Sequence, residues 1–200
     1  MPIAQDTRRE IEAVLDEGFL LPNSYHSFLV KWVAFNRAYN DLDLRVNGDR
    51  EKVLAVGERL QDHWGEVSDL ARRLVSLECI GGERVEGSDL LKPTEWVKSA
   101  TLYLRERFSL APSTDQQACE FAACRPEKQR LCNGVKHDPW DKEEMAALLR
   151  LVYQVRCNLV HGDKRLSGQN TQTNRDRRLI EISTQVLDRV LELLLQVQVE

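Results

Sequence analysis

The sequence predicts an all-α protein, a bundle of about four to five core helices with an irregular insertion. Two observations support this fold class. Apolar residues recur every three or four positions over most of the 200-residue chain, which is the spacing of one face of a helix. No segment alternates polar residues with apolar, β-branched ones, as a half-buried strand would. We therefore expect one helical domain over residues 1–200.

Composition and charge limit the classes of protein to consider. Hydrophobic residues make up 42% of the chain and charged residues 30%, which is typical of soluble globular proteins. No apolar run approaches the roughly 18 residues of a membrane span, and the N-terminus lacks the pattern of a signal peptide. The net charge of −4 argues against a general nucleic-acid coat protein. We expect a cytoplasmic protein that does not associate with a membrane.

The part of the chain before residue 109 predicts five helices. Their expected ranges are 5–19, 25–42, 49–62, 65–79 and 94–108. Ser24 precedes the second helix, and its hydroxyl is suited to cap the helix N-terminus. The large apolar residues of this second helix recur at intervals of three and four and form a single face: Phe28, Trp32, Phe35 and Tyr39.

Residues 109–140 contain three prolines and little periodicity, so we expect an irregular insertion with one or two short helical turns. Cys119, Cys124, Cys132 and His137 lie in this segment, but their spacings include no C-x2-C pair of the kind zinc sites use. We interpret them as packing residues, with the cysteines reduced. Neither a metal nor another cofactor is expected.

The rest of the chain predicts two more helices, one from near Asp141 to near Gly162 and one over 175–199, joined by a polar loop at 162–174. In the first of these helices apolar residues form a stripe at helical spacing: Met145, Leu148, Val152, Val155 and Leu159. Arg156 falls within the apolar sector of the same helix. A buried guanidinium is costly unless it is paired or bound to an anion. The arginine therefore binds an anion, extends to solvent or meets a core carboxylate.

His161 follows Arg156 by five positions and would lie about 140° away from it around a straight helix. Gly162 is suited to the left-handed position that ends a helix, which would free His161 to turn towards Arg156 or towards another subunit. A histidine exchanges protons near neutral pH, and an arginine stabilises charge on a phosphate. Together they could cleave RNA through its own 2′-hydroxyl without a metal. The spacing alone also fits two unrelated residues.

The segment "VYQVRCNLVHGDKR" resembles the Arg-x4–6-His signature of HEPN domains. In that superfamily the motif lies late in an all-helical bundle and precedes a last helix, and here "RRLIEISTQVLDRVLELLL" follows it. The phrase "VRCNLVHGDK" is similar to a bacterial branch of the superfamily. The earlier segment "FLVKWVAFNRAYND" resembles a tryptophan–asparagine–tyrosine helix of the same branch. The strong part of the resemblance is confined to residues 151–165.

The resemblance implies a function as well as a fold. HEPN proteins are typically helical dimers, and many are metal-independent endoribonucleases whose two Arg–His motifs meet across the dimer interface. They act as toxins in toxin–antitoxin pairs, in antiviral defence and in RNA processing. By this resemblance Arg156 would contact the phosphate of an RNA substrate and His161 would be the catalytic histidine. A protein antitoxin would be a further partner.

The position after the arginine departs from the pattern of active HEPN members. That position is often Asn, Asp or His in the family, whereas this chain has Cys157, followed by Asn158. Either Asn158 supplies the polar group or the site is weakened. The alternative function is therefore a non-catalytic HEPN-like module that binds RNA, a nucleotide or a protein partner.

Four further residues are candidates for the same site. Lys164 and Arg165 follow the motif and could bind the RNA backbone, or could belong to a solvated loop. Asn36 and Tyr39 could face the site from the second helix. The alternative for this pair is that Tyr39 belongs to the core and Asn36 makes a hydrogen bond between packed helices.

Overall fold

The computed structural model describes residues 3–17, 24–76, 95–108, 143–160 and 171–197 of the chain. Throughout those ranges the regular secondary structure is helical, so the predicted all-α class is confirmed. The helices pack as a bundle around a shared apolar core. They are α1 (Gln5–Glu17), α2 (Ser24–Asp41), α3 (Asp49–Arg59), a 3₁₀ helix (Gln61–Glu66), α4 (Ser68–Ser76), α5 (Glu95–Arg107), α6 (Glu144–Val160) and α7 (Thr171–Gln196).

Three boundaries differ from the predicted ones: the end of the helix expected at about 49–62, the start of the helix expected at about 65–79, and the start of the last helix. The helices expected at 49–62 and 65–79 are shorter, because a 3₁₀ helix joins α3 to α4. The change begins at Leu60, whose N–H lies 3.0 Å from the carbonyl oxygen of Val56 and 3.2 Å from that of Gly57, as happens where a last turn tightens. The loop expected to reach residue 174 ends earlier, since α7 begins at Thr171. Residues 171–174 contain no proline or glycine that would stop the helix from extending over them.

The aromatic face predicted on α2 lies in the core. Phe28, Phe35 and Tyr39 are fully buried, and Trp32 is only 5% exposed. Their rings contact one another along the helix, with the Trp32 and Phe35 centroids 5.4 Å apart and the Phe35 and Tyr39 centroids 5.3 Å apart. Burying each such side chain contributes about 1.5–3 kcal/mol, so this face anchors α2 in the bundle.

The first half of α6 is buried on every side, where the sequence predicted a single apolar stripe. All residues from Glu144 to Val152 are buried, because α3 and α5 both pack closely against this helix. The charge of Glu144 is compensated there: its carboxylate forms an ion pair with Arg107 Nε at 2.5 Å and accepts a hydrogen bond from Gln61 Nε2 at 2.6 Å. The second half of α6 is more open, and Val160 is 53% exposed.

Several predictions fall wholly or partly outside the described residues. The insertion at 109–140 lies outside them, with its cysteines and His137, and the assignment of 1–200 to one domain stays a prediction. Within the described ranges no group of three or more His, Cys, Asp or Glu side chains is placed to hold a metal ion. No helix in these ranges is long and apolar enough to cross a membrane.

Candidate functional site

Arg156 lies in the half-open part of α6, and its guanidinium contacts the indole of Trp32 on α2. Its Cζ atom is 5.9 Å from the centroid of the ring, within the range of a cation–π interaction. Its Nη1 atom lies 3.9 Å from Sγ of Cys157. Its Nε atom is buried and hydrogen-bonds to no residue of the described part of the chain. A core carboxylate was one of the partners considered for Arg156 from the sequence. In the structure the guanidinium instead contacts an aromatic ring and a thiol.

No described carboxylate forms an ion pair with Arg156. This distinguishes Arg156 from Arg107, Arg37 and Arg189, each of which pairs with a glutamate. A half-buried guanidinium whose charge is not balanced by an acid has the electrostatic requirements of an anion site.

Two tyrosines lie close to Arg156. The ring of Tyr153 meets Trp32 edge-on, with centroids 5.9 Å apart, and Tyr39 is fully buried. Burial raises the pKa of Tyr39, and the charge and hydrogen bond of Asp49 raise it further, while the positive charge of Arg156 opposes the rise. Burial also raises the pKa of Tyr153, with further contributions from Cys157, and Arg156 again opposes the rise. Both phenols therefore stay protonated at neutral pH and add no negative charge beside Arg156, while the carboxylate of Asp49 acts on both phenols without forming an ion pair with the arginine.

A chain of polar side chains, here called the polar strip, extends from Tyr39 to α3 and consists of Tyr39, Asn36, Asn40 and Lys52. Asn36 Nδ2 donates to the hydroxyl of Tyr39. Asn40 Nδ2 donates to Asn36 Oδ1 at 3.0 Å, and Lys52 Nζ donates to Asn40 Oδ1 at 2.6 Å. Three hydrogen bonds thus connect a lysine on α3 to the tyrosine whose pKa responds to Arg156.

Tyr39 has both of the roles considered for it, whereas the hydrogen bonds of Asn36 among the described residues lie within α2 and do not join two packed helices. Tyr39 is a core residue, and it also lies within electrostatic range of Arg156. Asn36 makes a hydrogen bond within α2, and through this bond it holds the hydroxyl of Tyr39. The structure therefore brings Asn36, Tyr39 and Arg156 into one region of the molecule.

Cys157 and Asn158 occupy different sides of α6. Cys157 contacts Arg156 and hydrogen-bonds with Tyr153. Asn158 is buried and accepts a hydrogen bond from Gln154 Nε2 at 2.8 Å. Because two residues correspond to about 200° of helix rotation, Asn158 does not share a face with Arg156. The expectation that Asn158 supplies the polar group beside Arg156 does not fit this geometry.

The remaining candidate residues come after Val160, the last described residue of α6. The helix is described up to Val160, so His161, Lys164 and Arg165 lie outside the described residues, as does the helix-ending role expected of Gly162. The contact between Arg156 and His161 stays a prediction.

Sequence reasoning missed Trp32, Asp49, Asn40 and Lys52 as parts of this region. Trp32 was assigned to the core, which is correct but leaves out its contact with Arg156. The polar residues of α3 resemble an ordinary solvated face. One available signal was the i, i+4 spacing of two amides, Asn36 and Asn40, beside Tyr39 on a helix that is otherwise apolar at its core face.

The chain matches no protein-family model, no curated protein and no solved structure. A functional inference therefore depends on the geometry around Arg156 and on the resemblance of residues 151–165 to the HEPN motif.

Proposed function

We propose that the protein is a metal-independent endoribonuclease of the HEPN type that acts as a homodimer in the cytoplasm. The observation that supports this proposal most strongly is the state of Arg156. Its guanidinium is half-buried against Trp32 and is paired with no acid among the described residues. Such a cation is suited to bind a phosphate, and RNA supplies both a phosphate and an adjacent hydroxyl.

In the proposed reaction the 2′-hydroxyl of the RNA attacks the neighbouring phosphorus. His161 accepts the proton of that hydroxyl, the new O2′–P bond forms and the P–O5′ bond breaks. The departing 5′ oxygen takes up a proton from the second copy of the motif across the dimer. The products are a 2′,3′-cyclic phosphate and a 5′-hydroxyl, and no metal takes part.

Arg156 would stabilise the negative charge that develops on the phosphate oxygens. Its surroundings favour this role in two ways. Trp32 restrains the guanidinium, so little side-chain entropy is lost when the substrate binds. The neutral phenols of Tyr39 and Tyr153 leave its charge available to the phosphate. Removal of one such stabilising group commonly lowers a rate by about 10²–10³-fold.

The test uses purified protein and a single-stranded RNA labelled at its 5′ end, with EDTA present throughout. We expect cleavage products that end in a cyclic phosphate, and no cleavage of the same RNA carrying 2′-O-methyl groups. Arg156→Ala and His161→Ala should each lose activity. The matched controls are Arg72→Ala and His26→Ala, since both side chains are exposed on other helices. Equal cleavage by wild type and His161→Ala would reject the proposal.

A second candidate function is a non-catalytic HEPN-like module that binds RNA, a nucleotide or a protein partner. The observation that favours it is Cys157, because a thiol 3.9 Å from Nη1 is a weak acceptor where active HEPN members often have a polar side chain. This function would be identified by RNA binding that Arg156→Ala abolishes, together with no cleavage at high protein concentration.

A toxin or defence role for the proposed enzyme has a test of its own. Expression of the protein would arrest growth, and His161→Ala or an antitoxin protein would relieve the arrest.

A further inference from the structure

Lys52 is a second cation of this region for which the described part of the chain supplies no acidic partner. It lies half-buried on α3, and its Nζ donates to the neutral amide of Asn40 at 2.6 Å. Among the described residues no carboxylate lies within ion-pair distance of it, although Asp49 and Glu51 belong to the same helix. Asp49 instead hydrogen-bonds with Tyr39. A lysine that is ordered by a neutral amide, with no carboxylate of the described residues within ion-pair distance, is suited to bind an anion.

The polar strip fixes the position of Lys52 relative to Arg156. Asn40 holds the ammonium with Oδ1, while its Nδ2 donates to Asn36 at 3.0 Å and to the Asn36 carbonyl at 2.9 Å. Asn36 in turn holds the hydroxyl of Tyr39, beside Arg156. The two cations are therefore separate, and they are joined by neutral amides instead of converging on one point. This arrangement suits a ligand with repeated negative charges better than a single phosphate ion.

We propose that Lys52 binds a second backbone phosphate of the RNA, so that the strand crosses the α2–α3 junction along the polar strip. This inference rests on the proposed function, because it places Arg156 at the phosphate that is cleaved. The side-chain oxygens of Asn36 and Asn40 and the second N–H of the Asn36 amide lie between the two cations and can hydrogen-bond to ribose hydroxyls. The chain as a whole is acidic, so binding would depend on these few cations and not on a general positive surface.

The test measures RNA affinity separately from cleavage. A fluorescent single-stranded RNA is titrated in EDTA with protein that carries His161→Ala, and the dissociation constant is determined at several salt concentrations. Each phosphate contact on a single strand contributes about 0.7 to the slope of log affinity against log salt. We therefore expect Lys52→Gln, which keeps the length and removes the charge, to reduce that slope by about 0.7. At 0.1 M salt the affinity should fall about fivefold.

Two further variants make the result specific. Lys52→Arg keeps the charge and should restore the slope, and Arg72→Gln, which removes an exposed charge on α4, should leave it unchanged. Thermal unfolding of each variant shows that the fold is retained. An unchanged slope and affinity in Lys52→Gln, with binding lost in Arg156→Ala, overturns the role of Lys52 and leaves the proposed function standing. A weakened Lys52→Gln alongside wild-type protein that cleaves no RNA supports the binding path and rejects the proposed catalysis.

Discussion

The guanidinium carbon of Arg156 lies 5.9 Å from the centre of the Trp32 ring. Trp32 is almost fully buried, and its other neighbours are Phe28, Phe35 and Tyr153. The indole therefore has no free face on which to stack an RNA base. Trp32 contributes to the site by restraining the side chain of Arg156. A core residue of α2 therefore helps to fix the position of the guanidinium on α6.

Trp32→Phe tests this restraint. Tryptophan is the strongest ring partner for a cation, and a cation–π contact contributes about 0.5–1 kcal/mol or more, so we expect RNA cleavage to slow about two- to fivefold. Single-turnover cleavage measures the rate, and urea unfolding measures the stability lost from the core. The matched control is Trp64→Phe, since Trp64 stacks on Phe108 with centroids 6.0 Å apart, away from Arg156. A rate that falls equally in both variants would assign the effect to general destabilisation.

Cys157→Asn introduces after Arg156 a residue type that active members of the HEPN superfamily, which this segment resembles, often have at that position. An amide oxygen would accept a hydrogen bond from the guanidinium more strongly than the thiol, which lies 3.9 Å away. A hydrogen bond to a charged group contributes about 1.5 kcal/mol, so we expect the cleavage rate to rise roughly tenfold. The measurement is single-turnover cleavage of the labelled RNA in EDTA.

Cys157→Ala is the control for this gain, because it removes the thiol without adding an acceptor. We expect it to cleave no faster than wild type. If the asparagine and alanine variants have the same rate, the residue after Arg156 does not limit the proposed cleavage, and the difference from the HEPN pattern at position 157 has no effect on it.

The helices of this bundle could be predicted from the sequence because their information is local. The aromatic spacing on α2 identified a core face, and all four of its large residues are buried. The environment of α6 could not be read in the same way. Burial of its first half on every side depends on α3 and α5 packing against it, and helical periodicity in one segment does not report how many neighbours that segment has.

The sequence could identify a residue of the candidate site only where its side chain does not fit the polarity pattern of its own helix. Arg156 is such a residue, since a cation stands in an apolar sector. Trp32 and Lys52 follow the ordinary patterns of a core face and a solvated face, so neither attracts attention before the fold brings their helices together. Asn158 was considered because it is next but one to Arg156 in the sequence, yet the helix turn places it on another side.

Gly57→Ala tests the close contact between α3 and α6. A Cβ atom added to Gly57 would lie 2.4 Å from Cα of Ala146, and a backbone atom cannot move aside as a flexible side chain would. We expect the free energy of unfolding to fall by about 1–3 kcal/mol, as is common for overpacked cores. Urea denaturation measures the change. Gly65→Ala is the matched control, because a Cβ at Gly65 meets nothing within 4 Å.

The comparison of the two glycines also separates packing from helix propensity. Alanine favours helical backbone over glycine, so Gly65→Ala should leave stability unchanged or raise it slightly. A Gly57→Ala variant as stable as wild type would mean that α3 and α6 can separate without loss, contrary to the tight packing of α6 described above.

The ion pair between the buried Lys31 on α2 and the half-buried Asp188 on α7 predicts a pH-dependent stability. The side chain of Lys31 is 8% exposed. Burial raises the pKa of Asp188, and the hydrogen bond and charge of Lys31 oppose the rise. Lys31→Met removes this opposition and leaves a carboxylate without its partner. Because solvent reaches the carboxylate of Asp188, we expect the variant to lose about 1–3 kcal/mol of unfolding free energy at pH 7, between the values typical of exposed and of buried pairs, measured by urea denaturation.

The sign of the pH effect follows from the direction of the pKa. A carboxyl whose pKa is raised by folding takes up its proton in the folded protein before it does in the unfolded chain. Its favourable contribution is present in full below the unfolded pKa and is lost as the pH rises through the folded pKa. The Lys31→Met variant should therefore recover part of its lost stability as the pH is lowered from 7, because the folded protein takes up the proton of Asp188 at a higher pH than the unfolded chain does.

Two controls make this last prediction decisive. The double variant Lys31→Met/Asp188→Leu removes both charges and should have a stability close to that of wild type, with little change between pH 7 and pH 5. Arg8→Met disrupts the exposed pair of Arg8 with Glu12 and should change stability by less than about 1 kcal/mol. If Lys31→Met loses no more stability than Arg8→Met, the contact between α2 and α7 does not depend on this ion pair, because solvent already compensates the carboxylate of Asp188.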